Sequence, residues 1–220
     1  MNSNKKGKQV FYNVLGAVHV VFWLSLLAFG VIYLSLGILL LPVLTSVFTI
    51  GREIIFRQYD ITDSVIKRFF GGVKDNMSML RYFPLQILLI LEGAGLYAAN
   101  MTGMKVIAYF CTALMSLMLT YIIYTALCKV HFEQKCDAVT VAVIMVYSLP
   151  FMISVWLVMT LVCLFTGPAA IIVSFAAGAL LLLLIQGTAL VGILNFKEKT
   201  DSLTEQEKEI KGTLFRAHLS

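Results

Sequence analysis

The stretch that decides the fold runs from Val10 to Ile50, "VFYNVLGAVHVVFWLSLLAFGVIYLSLGILLLPVLTSVFTI". As one straight helix at 1.5 Å per residue it would measure about 61 Å, twice a hydrocarbon core of roughly 30 Å. A single span does not account for it. Two readings do. In the first, a tight hairpin places Phe11–Phe29 and Ile32–Ile50 as two spans, turning near "FGVIYLSLG", with Gly30 and Gly37 as the loosest backbone and Pro42 kinking the second leg. The second is one long tilted helix broken at Pro42 and continued along the interface. The hairpin gives six spans in all, and the broken helix gives five.

Working outward, the other apolar segments are Phe83–Met101, Val106–Cys128, Ala138–Phe165 and Ala169–Phe196. The chain is 60% hydrophobic and 13% charged, with a mean hydropathy of +0.89. Soluble domains carry about 25% charged residues. The apolar runs are rich in Leu, Ile, Val and Ala on all faces, where barrel strands would alternate apolar and polar side chains. The expected fold is all-α, a polytopic transmembrane bundle in a single domain over residues 1–196, followed by a short cytoplasmic tail over 197–220. No stretch is left over for a soluble catalytic domain, and no cleavage site for a signal peptide closes the first run.

Lysine and arginine placement orients the spans, because cytoplasmic loops near span ends carry the positive excess. Three lysines precede the first run, six basic residues lie in Arg52–Arg81, two in Lys129–Lys135 and five after Asn195, while the breaks "MTGMK" and "FTGP" hold one and none. Arg52–Arg81, Lys129–Asp137 and the C-terminus therefore read as cytoplasmic. The same rule puts the N-terminus inside, which requires an even number of crossings before Arg52 and so favours six spans. Nucleic acid is not indicated, since the basic residues that raise the pI to about 9.0 are those that orient a membrane protein.

After Gly51, Val65, Ile66, Phe69, Phe70, Val73, Met77 and Leu80 recur at three- and four-residue steps with Lys67, Arg68, Lys74 and Asp75 between them. This pattern predicts a cytoplasmic amphipathic helix over about 62–80. Asp60, Thr62 or Asp63 can cap it, and Gly71-Gly72 is its weak point. Such a helix is either a connector under the bundle or a docking element, with Lys67, Arg68, Phe69 and Phe70 as the contact candidates. In the tail, "SLTE" reads as a capping box from Ser202 to Glu205 that opens a short helix, with Gly212 as its stop.

"GVIYLSLGILLLPVLTSVFTIGREI" followed by "DSVIKRFFGGVKDNM" resembles the YesL-like bacterial membrane proteins, a family labelled as a domain of unknown function. The residues that carry the likeness are Trp23, Gly30, Gly37, Pro42, Thr45, Arg52, Phe69, Phe70, Lys74 and Asn76, all in the first hundred residues. The resemblance implies a multi-pass protein of the bacterial cell membrane, associated with ABC-type carbohydrate uptake systems. It implies no established activity.

Few residues bear chemistry. Cys128, His131, Cys136 and Asp137 share one break, but no pair of CxxC knuckles supports a zinc site, and neither metal nor cofactor is expected. No Walker, GxSxG or HExxH motif appears, and no enzymatic activity is expected. Gly95/Ala99 and Ser174/Gly178 are small-residue pairs suited to close helix packing. Tyr147, Ser148, Pro150 and Ser154 mark a kink, and Gln186 and Asn195 suit interhelical hydrogen bonds. Glu92 lies ninth in Pro84–Met101 and His19 ninth in Phe11–Phe29, so in the six-span reading the two can meet near the bilayer midplane. A carboxylate at that depth costs about 2.5–3.5 kcal/mol on insertion scales. It is either a satisfied contact between helices or a proton- or ligand-linked site. Two functions follow. One is a non-enzymatic accessory component of ABC-type carbohydrate uptake, whose partners are the bilayer and the importer subunits. The other is a stand-alone small transporter or ligand-binding membrane protein using Glu92, His19 and Gln186. An intramembrane enzyme is far behind both.

Overall fold

In the computed structural model, the long first run is two helices. The structure describes the backbone of residues 2–56, 58–59, 64–132, 137–148 and 168–217, and the side chains of these outside 2–15, 100, 168–177 and 213–217. Helix α1 spans Asn2–Leu34 and α2 spans Leu40–Ile55. The reversal falls at residues 35–39, later than the sequence places it. Gly37 takes φ +81° and Leu36 takes φ +49° there, the left-handed geometry a tight reversal needs. Gly37 N–H closes the turn on Ile32 O at 2.8 Å. Gly30 stays inside α1. Pro42 falls in the first turn of α2, where a missing N–H breaks no helical bond, so it opens the leg rather than kinking it.

The chain continues through α3 (Val65–Asp75), a 3-10 turn (Met77–Tyr82), α4 (Phe83–Met101), α5 (Lys105–His131), α6 (Ala138–Tyr147), α7 (Pro168–Lys199) and α8 (Glu205–Ala217). No strand occurs among the described residues. Four helical stretches there are long and apolar enough to cross a membrane: Gly16–Leu34, Met77–Ala99, Lys105–His131 and Gly178–Lys199. This is compatible with a membrane protein. The second leg of the hairpin, expected as a span over Ile32–Ile50, is a helix of 16 residues, about 24 Å long. The kink expected around Pro150 and Ser154 lies outside the described residues, and α6 ends at Tyr147.

α2 is the hub. It packs against α1, α3, the 3-10 turn, α5 and α7, and buries every residue from Leu41 to Phe48. Its neighbours come close where side chains are small. Gly178 of α7 receives the Phe29 ring, and Gly72 of α3 lies over Ser46, whose hydroxyl donates to Phe69 O at 2.9 Å. Ala179 N–H donates to Ser25 Oγ at 2.9 Å, tying α7 to α1. In lipid, tight packing and interhelical hydrogen bonds of this kind replace the hydrophobic drive available in water. By contrast, α4 packs chiefly on α5 and the 3-10 turn, leaving Ile90, Leu91, Tyr97 and Phe110 exposed along that hairpin.

Two cap assignments differ from the sequence reading. Ser64, in extended backbone, accepts from Lys67 N and starts α3 in place of Asp60, Thr62 or Asp63. The stretch expected as one helix to Leu80 ends at Asp75, where the Asn76 side chain turns back to donate to Gly72 O at 2.8 Å. In the tail the capping box is Thr204 with Glu207, not Ser202 with Glu205. Glu207 N–H donates to Thr204 Oγ1 and Thr204 N–H to Glu207 Oε2. The Ser202 hydroxyl is engaged instead with Thr200 and Lys197 O, and α8 runs through Gly212 to Ala217. The bundle helix α7 also continues to Lys199, past the expected boundary at residue 196.

Candidate functional site

Thr45, Thr49, Arg52 and Glu53 follow one another on α2 at steps of four, three and one, which keeps them on one side of the helix. Each threonine hydroxyl donates to its own helix, Thr45 Oγ1 to Leu41 O and Thr49 Oγ1 to Thr45 O, both at 2.8 Å. This leaves lone pairs outward. Arg52 reaches across to α5 and donates from Nη1 to Val130 O at 2.8 Å. That carbonyl is in the last turn of α5 and has no helical N–H to accept from, so the guanidinium completes the helix end. The same group stacks over Phe56, 5.5 Å from the ring centroid. Glu53 is bound to Arg68 of α3, which lies over Tyr59 at 5.2 Å.

These residues wall a cavity of about 330 Å³, completed by Gln58, Asn76, Lys129 and Val130. Ligand pockets begin at roughly this size. Of its lining residues only Val130 is apolar by type, and none carries an aromatic ring. Lys129 is exposed and has no carboxylate partner among the described residues. Gln58 donates to Gln206 of α8 at 3.0 Å, which brings the C-terminal helix to the cavity's edge. That helix is clamped by a buried pair, Lys197 to Glu207 at 2.6 Å, with Lys197 Nζ also 5.1 Å from the Phe132 ring centroid. Burial alone would raise the Glu207 carboxyl. The hydrogen bonds from Lys197 and Thr204 and the lysine charge outweigh burial and hold it below the usual carboxylate value.

Behind the cavity lies a second, enclosed polar group. Gln186 of α7 is fully buried and donates from Nε2 to Phe48 O at 2.8 Å, and the same nitrogen lies 3.4 Å from His131 Nε2. Gln186 Oε1 and His131 Nδ1 have no hydrogen-bond partner among the described residues. Gln186 thus joins α7 to α2 and approaches α5, the interhelical bond expected of it. The sequence offers His131 only as a candidate zinc ligand. Among the described residues no group of three or more His, Cys, Asp or Glu is placed to hold a metal, and Cys136 lies outside them.

The remaining candidates scatter. Glu92 is half-buried on α4, with Oε2 enclosed and unpartnered. His19 is exposed on α1, edge-on to Trp23 with centroids 6.2 Å apart. α1 packs chiefly on α7 and α4 on α5, so the two groups belong to different helix pairs. No hydrogen bond or ion pair joins them among the described residues. Of the docking set, Phe69 is fully buried and Arg68 is committed to Glu53, whereas Lys67 and Phe70 are exposed. No protein-family model, no curated protein and no solved structure matches this chain.

Proposed function

We propose that this chain is a non-enzymatic membrane protein that binds a small polar ligand in the cavity beside Arg52 and Lys129. One observation carries the reading. The most enclosed helix of the bundle, apolar along its first turn, lines up Thr45, Thr49, Arg52 and Glu53 on the wall of a cavity of about 330 Å³. The charged groups sit at the ends of α2 and α5, where the chain leaves the apolar part of the bundle, and they face one another across the cavity. The midplane pair Glu92 and His19 gives way to this site in the ligand-binding reading. Gln186 keeps a supporting part, since it fixes the Phe48 carbonyl one turn before Arg52.

Thermal unfolding of the detergent-solubilised protein against a panel of small polar solutes tests it. A ligand at one hundred times its Kd stabilises by about 2.7 kcal/mol, and Thr49→Phe, which fills the cavity, is expected to remove that gain. A panel without any stabilising solute, or stabilisation that persists in Thr49→Phe, removes the reading.

A second reading is favoured by the exposure of Lys67 and Phe70 on α3. In it, the protein is an accessory component of an ABC-type carbohydrate importer in the bacterial cell membrane, as the YesL-like resemblance implies, with that edge of α3 as the contact. Lys67→Glu with Phe70→Ser is then expected to abolish co-purification with the importer permease at normal protein level. Unchanged recovery would falsify it.

A further inference from the structure

Among the described residues that line the cavity, two cationic side chains stand against one carboxylate, and this balance of charge points to the kind of ligand it can take. Arg52 carries five N–H donors and commits Nη1 to a single backbone carbonyl. Lys129 brings three, with no carboxylate against it among the described residues. The amides of Asn76 and Gln58 each spend one N–H, on Gly72 O and Gln206 Oε1, and each has a second. Against these stands, among the described residues, one carboxylate, Glu53, already bound by Arg68. A cation would meet two positive charges and a neutralised acid. A neutral sugar would find no aromatic face to stack on among the lining residues. An oxyanion with several acceptor oxygens matches the set, because a guanidinium and an ammonium converging on phosphate form charge-assisted bonds about twice as strong as neutral ones.

We infer that the Arg52–Lys129 cavity is a binding site for a phosphate-bearing anion, with Arg52 and Lys129 on the charge and Asn76 and Gln58 on the remaining oxygens. This rests on the ligand-binding reading above and names the class of ligand. The phosphate comes either free in solution, as inorganic phosphate or a soluble phosphomonoester, or on the headgroup of an anionic lipid. Arg52 is held in place by the α5 end and the Phe56 ring, so the site is formed before the ligand arrives. Lys129, exposed at the end of α5, supplies the second charge.

The full chain, purified in detergent and phosphate-free buffer, is titrated with inorganic phosphate and with glycerol phosphate by calorimetry. In parallel it is placed in nanodiscs of phosphatidylglycerol or of phosphatidylcholine, and retained lipid is read by native mass spectrometry. The variant is Lys129→Gln, at an exposed position outside the packed core, with Lys129→Arg as the charge-preserving control. Saturable binding of a soluble phosphate that weakens about tenfold in Lys129→Gln and is retained in Lys129→Arg supports a soluble ligand. Selective retention of phosphatidylglycerol with the same dependence on residue 129 supports a lipid headgroup. Binding that Lys129→Gln leaves unchanged overturns the inference. If neither phosphate source binds while a neutral solute stabilises the protein and fails on Thr49→Phe, the anion inference falls and the ligand-binding reading stands. If nothing binds, both fall.

Discussion

At Gly51 the absence of a side chain is what lets α7 reach α2. A Cβ there would run into Gln186 Oε1 and the Leu183 side chain. Gly187, one residue beyond Gln186, has open space around it. The two glycines therefore respond oppositely to alanine. Gly51→Ala is expected to destabilise by about 1–3 kcal/mol through overpacking, and to break the Gln186 bond to Phe48 O. Gly187→Ala is expected to be neutral or to stabilise by up to about 1 kcal/mol, since it removes a helix-interior glycine. Thermal unfolding of both variants in one detergent checks this, and equal effects would remove the argument for a close approach at Gly51. The same turn of α2 shows how far single residues could be read. Thr45 and Arg52 stand out in the sequence as points of family likeness, and the spacing Thr45, Thr49, Arg52, Glu53 was there to be seen as one helical face. The convergence of Lys129 and Asn76 on it is set by packing between segments more than twenty residues apart, which periodicity does not encode. Gln186 was legible as an interhelical partner because a polar side chain within an apolar span has few other uses. Glu92 and His19 stand out in the sequence for the same reason, but equal depth in two spans does not make two helices neighbours.

Among the elements, the C-terminal helix is attached through a titrating group. Glu207 is paired with Lys197 and accepts from Thr204 N–H, and its carboxyl lies below the ordinary value of 4.5. A lowered folded pKa means that the contribution to stability is complete above about pH 4.5 and is lost as pH falls through the folded value. The wild-type unfolding temperature is thus expected to drop on acidification below that point. Glu207→Gln is expected to be less stable at neutral pH, on the order of 3 kcal/mol because Lys197 stays buried without its counter-charge, and to lose most of the acid-dependent slope. A variant with the full wild-type slope would show that another group governs acid unfolding. The helices themselves were largely legible from apolar period and length. Their ends were not, because the chain chooses among nearby caps by tertiary contact. Ser202 offers the same hydroxyl as Thr204, yet it is drawn back to the end of α7. Likewise the reversal after α1 falls at Leu36 and Gly37, and a glycine at 30 in the same apolar run carries no mark that distinguishes it.

For the molecule as a whole, the all-helical class and the apolar, membrane-length helices follow from composition, since no soluble core needs 60% hydrophobic residues with 13% charged. The count of spans does not follow so directly. Hydropathy scores a helix by what it is made of, and α2 is made of the same residues as a span while being covered on its sides by α1, α3, α5 and α7. That enclosure bears on how the protein is made. α2 lies within the first quarter of the chain, but two of the helices that cover it, α5 and α7, are synthesised only near the middle and the end. Arg52 has no Val130 carbonyl to donate to until α5 has been translated, and the Phe48 carbonyl has no Gln186 until α7 has been. The enclosure of α2 is therefore complete only once α7, the last long helix, has been made.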